Sequence, residues 1–331
     1  MATTYRYGNN YRVMVVTEVT PGTTPAIAWA TPTNWVLVPD TVEFSSEVAQ
    51  IETGSKTGTG LATHCETRPG YQNSTVTMTG ILSYEHEPFL LAGLGYTKAG
   101  TTTYTLDSLP ATQTTYSIIR IWSDTTTTPY AVDIAKGCQL SSVKITGTSG
   151  DMVRYEAAFQ AMSYTAETTQ AITTANNDPG TPCVKGFNFG DVTAVLNYGD
   201  GGDLKSFDLT LGYEIADEAT SYQNSNTRLY TIPLKATPEL SYVTNYVKEG
   251  TLDTARQATL FGATAIEEVI TLNMINSSNK AVEWKFETAG QLTAYAFADP
   301  GRALFENSVT ERLCYYAGPT YPVVITVTVA P

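Results

Sequence analysis

One short sequence pattern occurs twice in this chain, and it constrains the fold more than any other feature. Residues 136–145 read KGCQLSSVKI, and residues 288–297 read TAGQLTAYAF. Both copies contain a glycine, Gln-Leu, two small residues and then alternating hydrophobic residues, and both follow a strand-like segment. A duplicated supersecondary unit would determine the architecture of both halves of the chain.

The segments around the two copies repeat as well. Apolar residues alternate with polar ones over Val42–Val48 and over Ser206–Ile215, which is typical of a strand with one solvated face. The string Tyr-Gln-Asn-Ser occurs at residues 71–74 and again at 222–225. Six predicted elements follow one another in the same order in each half, and this order predicts a duplication.

Strand patterns predominate, and helix patterns are short. Short apolar helices are predicted over residues 85–95, where Glu85 and Glu87 lie in the first turn, and over residues 250–262, which end at Gly262. Strands are predicted over residues 11–19, 38–52, 75–84, 116–122, 130–134, 153–161, 206–215, 232–243, 267–274, 281–287 and 322–330. Alternation of apolar and polar residues is evident over residues 42–48, 75–84, 153–161 and 206–215.

Composition and length support a mainly β chain with two domains. Only 15% of the residues are charged, against roughly 25% in ordinary soluble domains, and threonine and tyrosine, which favour strands, take their place. The 331 residues suffice for two domains of about 150 residues each. We predict a first domain over residues 1–165, a Pro/Gly-containing linker over 166–182, and a second domain over 183–331.

Two segments interrupt the alternation. The Gly- and Thr-rich residues 53–70 show neither helical nor strand periodicity, and we predict a long mobile loop there. In the second half, residues 298–322 replace the tight turn that the first half has at residues 149–151. We predict that this insertion carries a helix.

Charge and cysteine content limit the partners and the compartment. The net charge is −13, and this excludes binding to the outside of a nucleic acid, which requires clustered Lys and Arg. No signal-peptide pattern and no long apolar run occurs in the sequence, so we expect neither secretion nor a membrane span. Since no two cysteines form a CxxC pair, we expect reduced thiols at Cys65, Cys138, Cys183 and Cys314.

The sequence contains no motif of a common enzyme or cofactor site. His64 and His86 are not spaced as metal ligands. His64 and Cys65 are adjacent, but neighbouring side chains of an extended chain point apart, which disfavours a catalytic dyad. Asp200–Asp208 has the acidic and glycine content of a calcium loop without its closing Glu, so a hairpin turn is favoured and calcium is the alternative. We predict no catalytic, cofactor or metal site and no enzyme.

Several features of the layout together resemble one protein family. They are the TPTNW string at Thr31–Trp35, the two long strands around residues 53–70, the LLAGLG helix, and the stretch KGCQLSSVKITGTSGDMVRYEAAFQAMSY that begins at Lys136. In these features, over nearly the whole chain, the sequence resembles the tail tube proteins of long-tailed, siphophage-type bacteriophages, with a duplicated tube domain.

This resemblance implies an architecture and a set of partners. It implies two similar β-sandwich domains, each with a short flanking helix, whose sheets join those of neighbouring copies into a ring-shaped β-barrel. Three such chains with pseudo-sixfold symmetry, or otherwise six, would form a ring, and stacked rings would form the tube through which DNA passes to the host. The implied partners are other copies of the chain and the tape measure, tail terminator and tail-tip proteins. DNA would be present only in transit, and no membrane and no cofactor are implied.

The resemblance also suggests locations and surface roles. The chain would be made in the host cytoplasm and would function in the virion. Acidic residues on the strand faces would line the lumen and repel DNA phosphates; these candidates are Glu43, Glu47, Asp208 and Glu214. The loop over residues 53–70 would contact the next ring through Gly54, Lys56, Gly58, Gly60, His64 and Arg68.

Other classes of protein are compatible with the same patterns. A surface-displayed tandem β-sandwich that binds calcium or carbohydrate is the main alternative, and it would be expected to carry a signal peptide or disulfides. A hydrolase built from two sandwiches would need a convergent cleft. A decoration or tail-tip protein of the same virion is a third possibility.

Overall fold

A computed structural model of the chain provides the fold. It describes residues 11–28, 34–37, 39–56, 62–84, 86–99, 103–105, 113–122, 130–170, 172–173, 186–196, 203–215, 221–222, 228–230, 233–236, 238–245, 270–278, 280–286, 290–298, 306–313 and 323–329. The second predicted helix, over residues 250–262, lies outside these ranges.

Strands make up nearly all of the regular structure, so the predicted mainly β class is confirmed. The first half contains β1 Tyr11–Thr17, β2 Ile27–Ala28, β3 Asn34–Leu37, β4 Thr41–Lys56, β5 Ala62–Ile81, α1 Glu87–Gly93, β6 Thr97–Ala99, β7 Thr103–Thr105, β8 Tyr116–Trp122, β9 Tyr130–Thr148, β10 Arg154–Ala161, β11 Ser163–Gln170 and β12 Ile172–Thr173. The second half contains a 3-10 turn at Phe189–Asp191, β13 Val192–Val195, β14 Leu204–Ile215, β15 Ser221–Tyr222, β16 Arg228–Tyr230, β17 Pro233–Ala236, β18 Glu239–Asn245, β19 Ile270–Ile275, β20 Lys280–Phe286, β21 Gly290–Ala298, β22 Glu306–Leu313 and β23 Val323–Val329.

A path of eight antiparallel strands runs through both halves of the chain. Its order is β21-β22-β18-β14-β9-β10-β5-β4, so four strands come from each half. The halves meet where β9 pairs with β14. Among the described residues, β4 and β21 lie at the two ends of the path and do not pair with each other.

The same strand order occurs in each half. The first half contributes β4-β5-β10-β9, and the second contributes β14-β18-β22-β21. A second set of strands repeats likewise, because β1-β8-β9-β11 in the first half corresponds to β13-β19-β20-β23 in the second. In the first half one continuous strand, β9, belongs to both sets, whereas β20 and β21 divide this role in the second half.

The twice-written sequence pattern forms a β-bulge in both places. Ser141 is the extra residue between the two registers of β9 with β10, and Thr293 is the extra residue between the two registers of β21 with β22. The Ser141 hydroxyl donates to the carbonyl oxygen of Ala158 at 2.8 Å, and the Thr293 hydroxyl donates to that of Thr310 at 3.0 Å. A small hydroxyl residue after Gln-Leu therefore satisfies a carbonyl that the bulge takes out of the ladder.

A glycine bends β9 where the strand passes from one sheet to the other. Gly137 has φ +62, a left-handed conformation that is strained for other residues. Its N–H donates to the buried carboxylate of Glu18 at 3.0 Å, which also accepts from the Ser117 hydroxyl at 2.6 Å. Up to Cys138 the strand pairs with β8 and β11, and from Gln139 onward it pairs with β10 and β14.

The junction between β9 and β14 depends on a second glycine. Gly147 lies directly opposite Phe207, and a Cβ atom at residue 147 would lie 2.3 Å from Cε1 of the Phe207 ring. The ring of Phe207 is buried and stacks on Phe189 of the 3-10 turn, with ring centroids 6.3 Å apart. The absence of a side chain at residue 147 is what allows this aromatic ring to lie across the junction.

Buried apolar side chains of both halves form one continuous cluster. It contains Leu90 and Leu91 of α1, Val76 of β5, Leu209 of β14 and Trp284 of β20. The helix predicted over residues 85–95 is confirmed as α1, with His86 at its N-cap. Both sets of strands contribute to this core, and a smaller second cluster of buried residues lies on β1, β8 and β9: Met14, Val16, Ile119, Ile121, Val132 and Ile134.

Two predicted features differ from the structure in the residues that it describes. Residues 53–56 and 62–70, predicted to lie in a mobile loop, continue β4 and β5 as a paired hairpin that reaches Lys56 opposite Ala62. Backbone pairing does not need apolar periodicity, so a Gly/Thr-rich ribbon gives no strand signal. Residues 306–313, within the insertion predicted to carry a helix, form β22. Here buried Asn307 and Glu311 occupy core-facing positions, and these polar residues hide the alternation.

The described part of the predicted linker contains strands. Residues 166–170 form the second half of β11, which pairs with β9, and Ile172–Thr173 pairs in parallel with Ile27–Ala28. Glu167 takes a positive φ of 49 at a bulge in β11, and its N–H donates to Asp133 at 2.8 Å. The bulge is fixed by this contact with the carboxylate.

Replacing Gly147 with alanine should weaken the junction between the halves. The new methyl group would collide with the Phe207 ring, and overpacking of this kind costs about 1–3 kcal/mol. Gly190→Ala is the matched control, because a Cβ atom there meets nothing within 4 Å and the change should alter the free energy of unfolding by less than about 0.5 kcal/mol. Urea denaturation measures both; equal midpoints for the two variants would contradict this account of the junction.

Candidate functional site

One continuous surface, here called the polar face, covers the eight-strand path on the side opposite the core. Alternate residues of each strand point to opposite sides of a sheet, and the register joins exposed positions across strands. Glu43 lies opposite Thr77, Thr77 opposite Ala158, and Ala158 opposite Ser142. The buried residues between them, such as Val42 and Val76, contact the core.

Hydroxyl and charged side chains dominate the polar face. Threonines and serines occupy much of it, including Thr75, Thr77 and Thr79 of β5 and Ser241 of β18. Among the described residues its acidic side chains outnumber its basic ones: Glu43, Glu47, Glu156, Asp208, Glu239 and Glu306 against Lys144, Arg154, Lys205 and Arg312. The face therefore has a net negative charge.

Ion pairs connect strands across this surface. Lys144 of β9 lies 2.6 Å from Asp208 of β14 and so bridges the junction of the halves. This hydrogen bond raises the pKa of Lys144, and the carboxylate of Glu156 contributes a smaller effect in the same direction. A second pair joins Lys205 and Glu306 at 2.5 Å. Each pair is partly exposed, so its contribution to stability is below about 1 kcal/mol.

The polar face is hollowed over β9, β14, β18 and β22. A depression of about 310 Å³ lies there, lined by apolar groups as well as by hydroxyl groups and one carboxylate. Its polar walls include Thr146, Thr148, Ser206, Asp208 and Ser241. The depression straddles the junction of the halves.

The predicted acidic residues lie on this face. Glu43 and Glu47 are exposed on β4, and Asp208 is half-exposed on β14. The backbone of Glu214 belongs to β14; its side chain lies outside the description. Sequence reasoning missed Glu156 and Glu239, which share the face, although the alternation around Glu156 between buried Tyr155 and Ala157 was a usable signal.

The predicted ring-contact residues lie on a projecting hairpin. Pairing of β5 with β10 ends at Ser74, so residues 47–56 and 62–73 form a two-stranded extension, here called the arm, of about 30 Å. Gly54 and Lys56 lie on β4, and His64 and Arg68 lie on β5. Gly58 and Gly60 fall outside the described residues. Within the described residues, the backbone of the arm pairs only between β4 and β5.

The described residues do not assemble a metal or covalent site. No group of three or more His, Cys, Asp or Glu side chains that could hold a metal ion occurs among them. Cys138 is fully buried, and burial raises the pKa of its thiol. Asp208, at the end of the predicted calcium-like segment, pairs with Lys144, and residues 200–202 are not described. In the described part of the chain, no helix has the length and hydropathy of a membrane span.

His86 lies in the core beside aromatic rings. It is 4% exposed, and its ring centroid lies 5.1 Å from that of Tyr155 and 6.3 Å from that of Phe89. Burial lowers the pKa of His86 to about 4, against a smaller opposing effect of a hydrogen bond with the backbone of Ile81. The side chain is therefore a neutral packing residue at pH 7.

Comparison with known proteins identifies one family. The protein-family model for phage tail tube proteins matches residues 8–297, a span that runs from before β1 almost to the end of β21 and includes both halves. The search of curated proteins gives no match.

The buried imidazole predicts a pH dependence of stability. The folded pKa of His86 is about 4 and the unfolded value is 6.5, so its contribution is fully present above pH 6.5 and is lost as the pH falls towards 4. Acidification from pH 7.5 to 5 should cost about 2 kcal/mol through this group. In His86→Phe this part of the loss should disappear, while carboxylates titrate alike in both chains. Denaturation curves across the pH range measure the difference; parallel curves would contradict it.

Proposed function

The chain belongs to the phage tail tube protein family, and we propose that it polymerises as stacked rings into the hollow tail tube through which DNA passes to the host. Membership makes it a structural component of the virion tail. The observation that carries the finer proposal is the eight-strand sheet, which contains one four-strand order twice and ends in two strands that, among the described residues, have no partner on their outer edge.

The repeated order and the repeated bulge support a gene-internal duplication. The strand pairings of β9 with β10 and of β21 with β22 change register at corresponding residues, Ser141 and Thr293. Each half is one tube-forming unit, so a chain contributes two of the units that a ring requires. Three chains then give a ring with pseudo-sixfold symmetry.

The number of strands supports several chains per ring. A closed barrel of about eight strands is filled by its own side chains, whereas about 16–18 strands leave an aqueous channel. Three chains with eight strands each form a barrel of about 24 strands, which is wider still. The contact is head-to-tail, and such contacts produce closed rings when the rotation between copies completes a circle.

The polar face lines the lumen in this arrangement. Its hydroxyl groups and its excess of acidic side chains, with Glu43 and Glu47 exposed, suit a wall along which DNA slides. Negative side chains repel phosphates, and the scarcity of basic clusters removes the counterion-release term that would hold DNA in place.

The arm makes the contact between rings. A two-stranded hairpin is at best marginally stable alone in water, so an extension of about 30 Å gains stability by packing against another subunit. Gly54, Lys56, His64 and Arg68 lie on this extension. Docking of the arm onto the neighbouring ring propagates the tube, and the tape measure, terminator and tail-tip proteins set its length and ends.

The proposal predicts rings of three chains. Purified protein at high concentration should show rings and hollow filaments by negative-stain microscopy, and native mass spectrometry of single rings should give three times the mass of the chain. A ring of six chains would contradict the role of the duplication. A solitary chain at every concentration, with no rings on a tail-tip template, would contradict the tube itself.

The lumen assignment predicts a charge effect on DNA. Glu43→Lys tubes should retain short duplex DNA that wild-type tubes release, because each ring then carries new cations on its inner wall, and retention should fall steeply with salt. Glu283→Lys makes the same charge change on β20, away from the polar face, and should leave release unchanged. Sedimentation of tubes with labelled DNA measures this. Equal retention by the two variants, or none by either, would remove support for the lumen assignment.

A further inference from the structure

Among the described residues, β21 and β4 each have one edge that pairs with no strand, and these edges predict how chains join. Resting on the tube function proposed above, we propose that β21 of one chain pairs antiparallel with β4 of the next chain, in the register that β14 and β9 use within a chain. Ser45 then lies opposite Ala296, and Phe44 lies opposite Phe297. The occupant of each edge is a second copy of this chain.

Strand β9 of the first half corresponds to strand β21 of the second half. Both strands carry the bulge after Gln-Leu, and both bulge residues donate a hydroxyl to a carbonyl of the strand on the same side. Matching Ser141 with Thr293 aligns Ser142 with Ala294 and Lys144 with Ala296. β9 presents its other edge to β14, and within the described residues β21 has no strand on the corresponding edge.

Strand β14 likewise corresponds to strand β4, which follows from the pairings in each half. β10 pairs with β5 and β5 with β4, as β22 pairs with β18 and β18 with β14. Ser141 is aligned with Thr293, and the pairings are then followed from strand to strand in each half. In this alignment Asp208 corresponds to Glu43, and Phe207 corresponds to Val42. Both matches preserve the face, because Phe207 and Val42 are buried while Asp208 and Glu43 lie on the polar face.

The register of β14 with β9 predicts which residues of β4 and β21 lie opposite each other between chains. Within the chain, Thr210 lies opposite Lys144 and Gly212 opposite Ser142. The corresponding pairs between chains are Ser45 with Ala296 and Glu47 with Ala294. All four of these residues are exposed, so polar-face positions meet polar-face positions. A shift by one residue would turn every side chain of one strand to the wrong face.

The β9–β14 junction within a chain and the proposed β21–β4 junction between chains differ in charge. Inside the chain Lys144 lies diagonally across from Asp208 and forms an ion pair with it at 2.6 Å. Between chains, the residue in the place of Lys144 is Ala296, and the diagonal positions hold both Glu43 and Glu47. The junction between chains therefore has two carboxylates and lacks the matching cation, which makes it the weaker of the two. Charged residues along an exposed edge also oppose premature pairing.

Cysteine cross-linking tests the register. Cys65, Cys183 and Cys314 are replaced by serine, the buried Cys138 is kept, and Ser45→Cys is combined with Ala296→Cys. Oxidation of assembled protein should shift the chain to covalent multiples on a denaturing gel. Thr41→Cys with Ala296→Cys is the control, since its thiols would lie four residues out of register, about 13 Å apart, which exceeds the reach of a disulfide.

The possible outcomes separate this inference from the tube proposal. A ladder of covalent multiples from Ser45→Cys with Ala296→Cys, and none from the control with Thr41→Cys, supports the register. Rings or tubes in the microscope, with no ladder or with equal ladders from both pairs, overturn the register and leave the tube function standing. A ladder from the first pair alone, without closed rings, supports the register and contradicts the tube. No assembly and no ladder contradicts both.

A charge series tests the missing cation independently. Ala296→Lys should lower the protein concentration at which rings dissociate by about two- to fivefold, because the new ammonium lies between Glu43 and Glu47. Ala296→Glu should raise that concentration, and Ala296→Gln should leave it near the wild-type value. Adding Glu43→Gln and Glu47→Gln should abolish the gain from lysine. Light scattering on dilution measures the series; a gain that persists without the two carboxylates would overturn the placement of Ala296.

Discussion

The antiparallel hydrogen bonding between β9 and β14 is the constraint on which the rest of this structure depends. It joins two four-strand units, which share one strand order, into a single sheet. The ring of Phe207 lies across the junction because Gly147 has no side chain, and the ion pair between Lys144 and Asp208 closes its polar side. Since the units have the same order and direction, β4 and β21 each keep one edge without a strand partner among the described residues, and the proposed contact between copies uses these two edges.

The sequence revealed the parts of this fold in which side chains report burial. Strands β10 and β14 were recognisable because apolar residues alternate with polar ones, and α1 because apolar residues cluster after a charged start. The arm and β22 were not recognisable from the sequence. The arm is held by backbone pairing that leaves no periodic signal, and in β22 the buried Glu311, whose carboxylate accepts a hydrogen bond from Tyr242 at 2.6 Å, occupies a position where an apolar residue is expected.

The candidate site was partly predictable for the same reason. Glu43, Glu47 and Asp208 could be assigned to a solvated face from alternation alone. That Glu156 and Glu239 share this face required the cross-strand register, because their strands are separated from β4 and from each other along the chain. The twice-written Gln-Leu pattern was visible at once, yet its physical meaning, a hydroxyl that compensates a bulge, could be read only from the hydrogen bonds of Ser141 and Thr293.

The continuity of β9 has a mechanical consequence. Its first residues pair with β8 and β11, its last with β10 and β14, and the bend at Gly137 is held by the carboxylate of Glu18. In the proposed tube, a force on the β8 and β11 side of a subunit would therefore reach the polar face through the continuous main chain of β9, without passing through a loop.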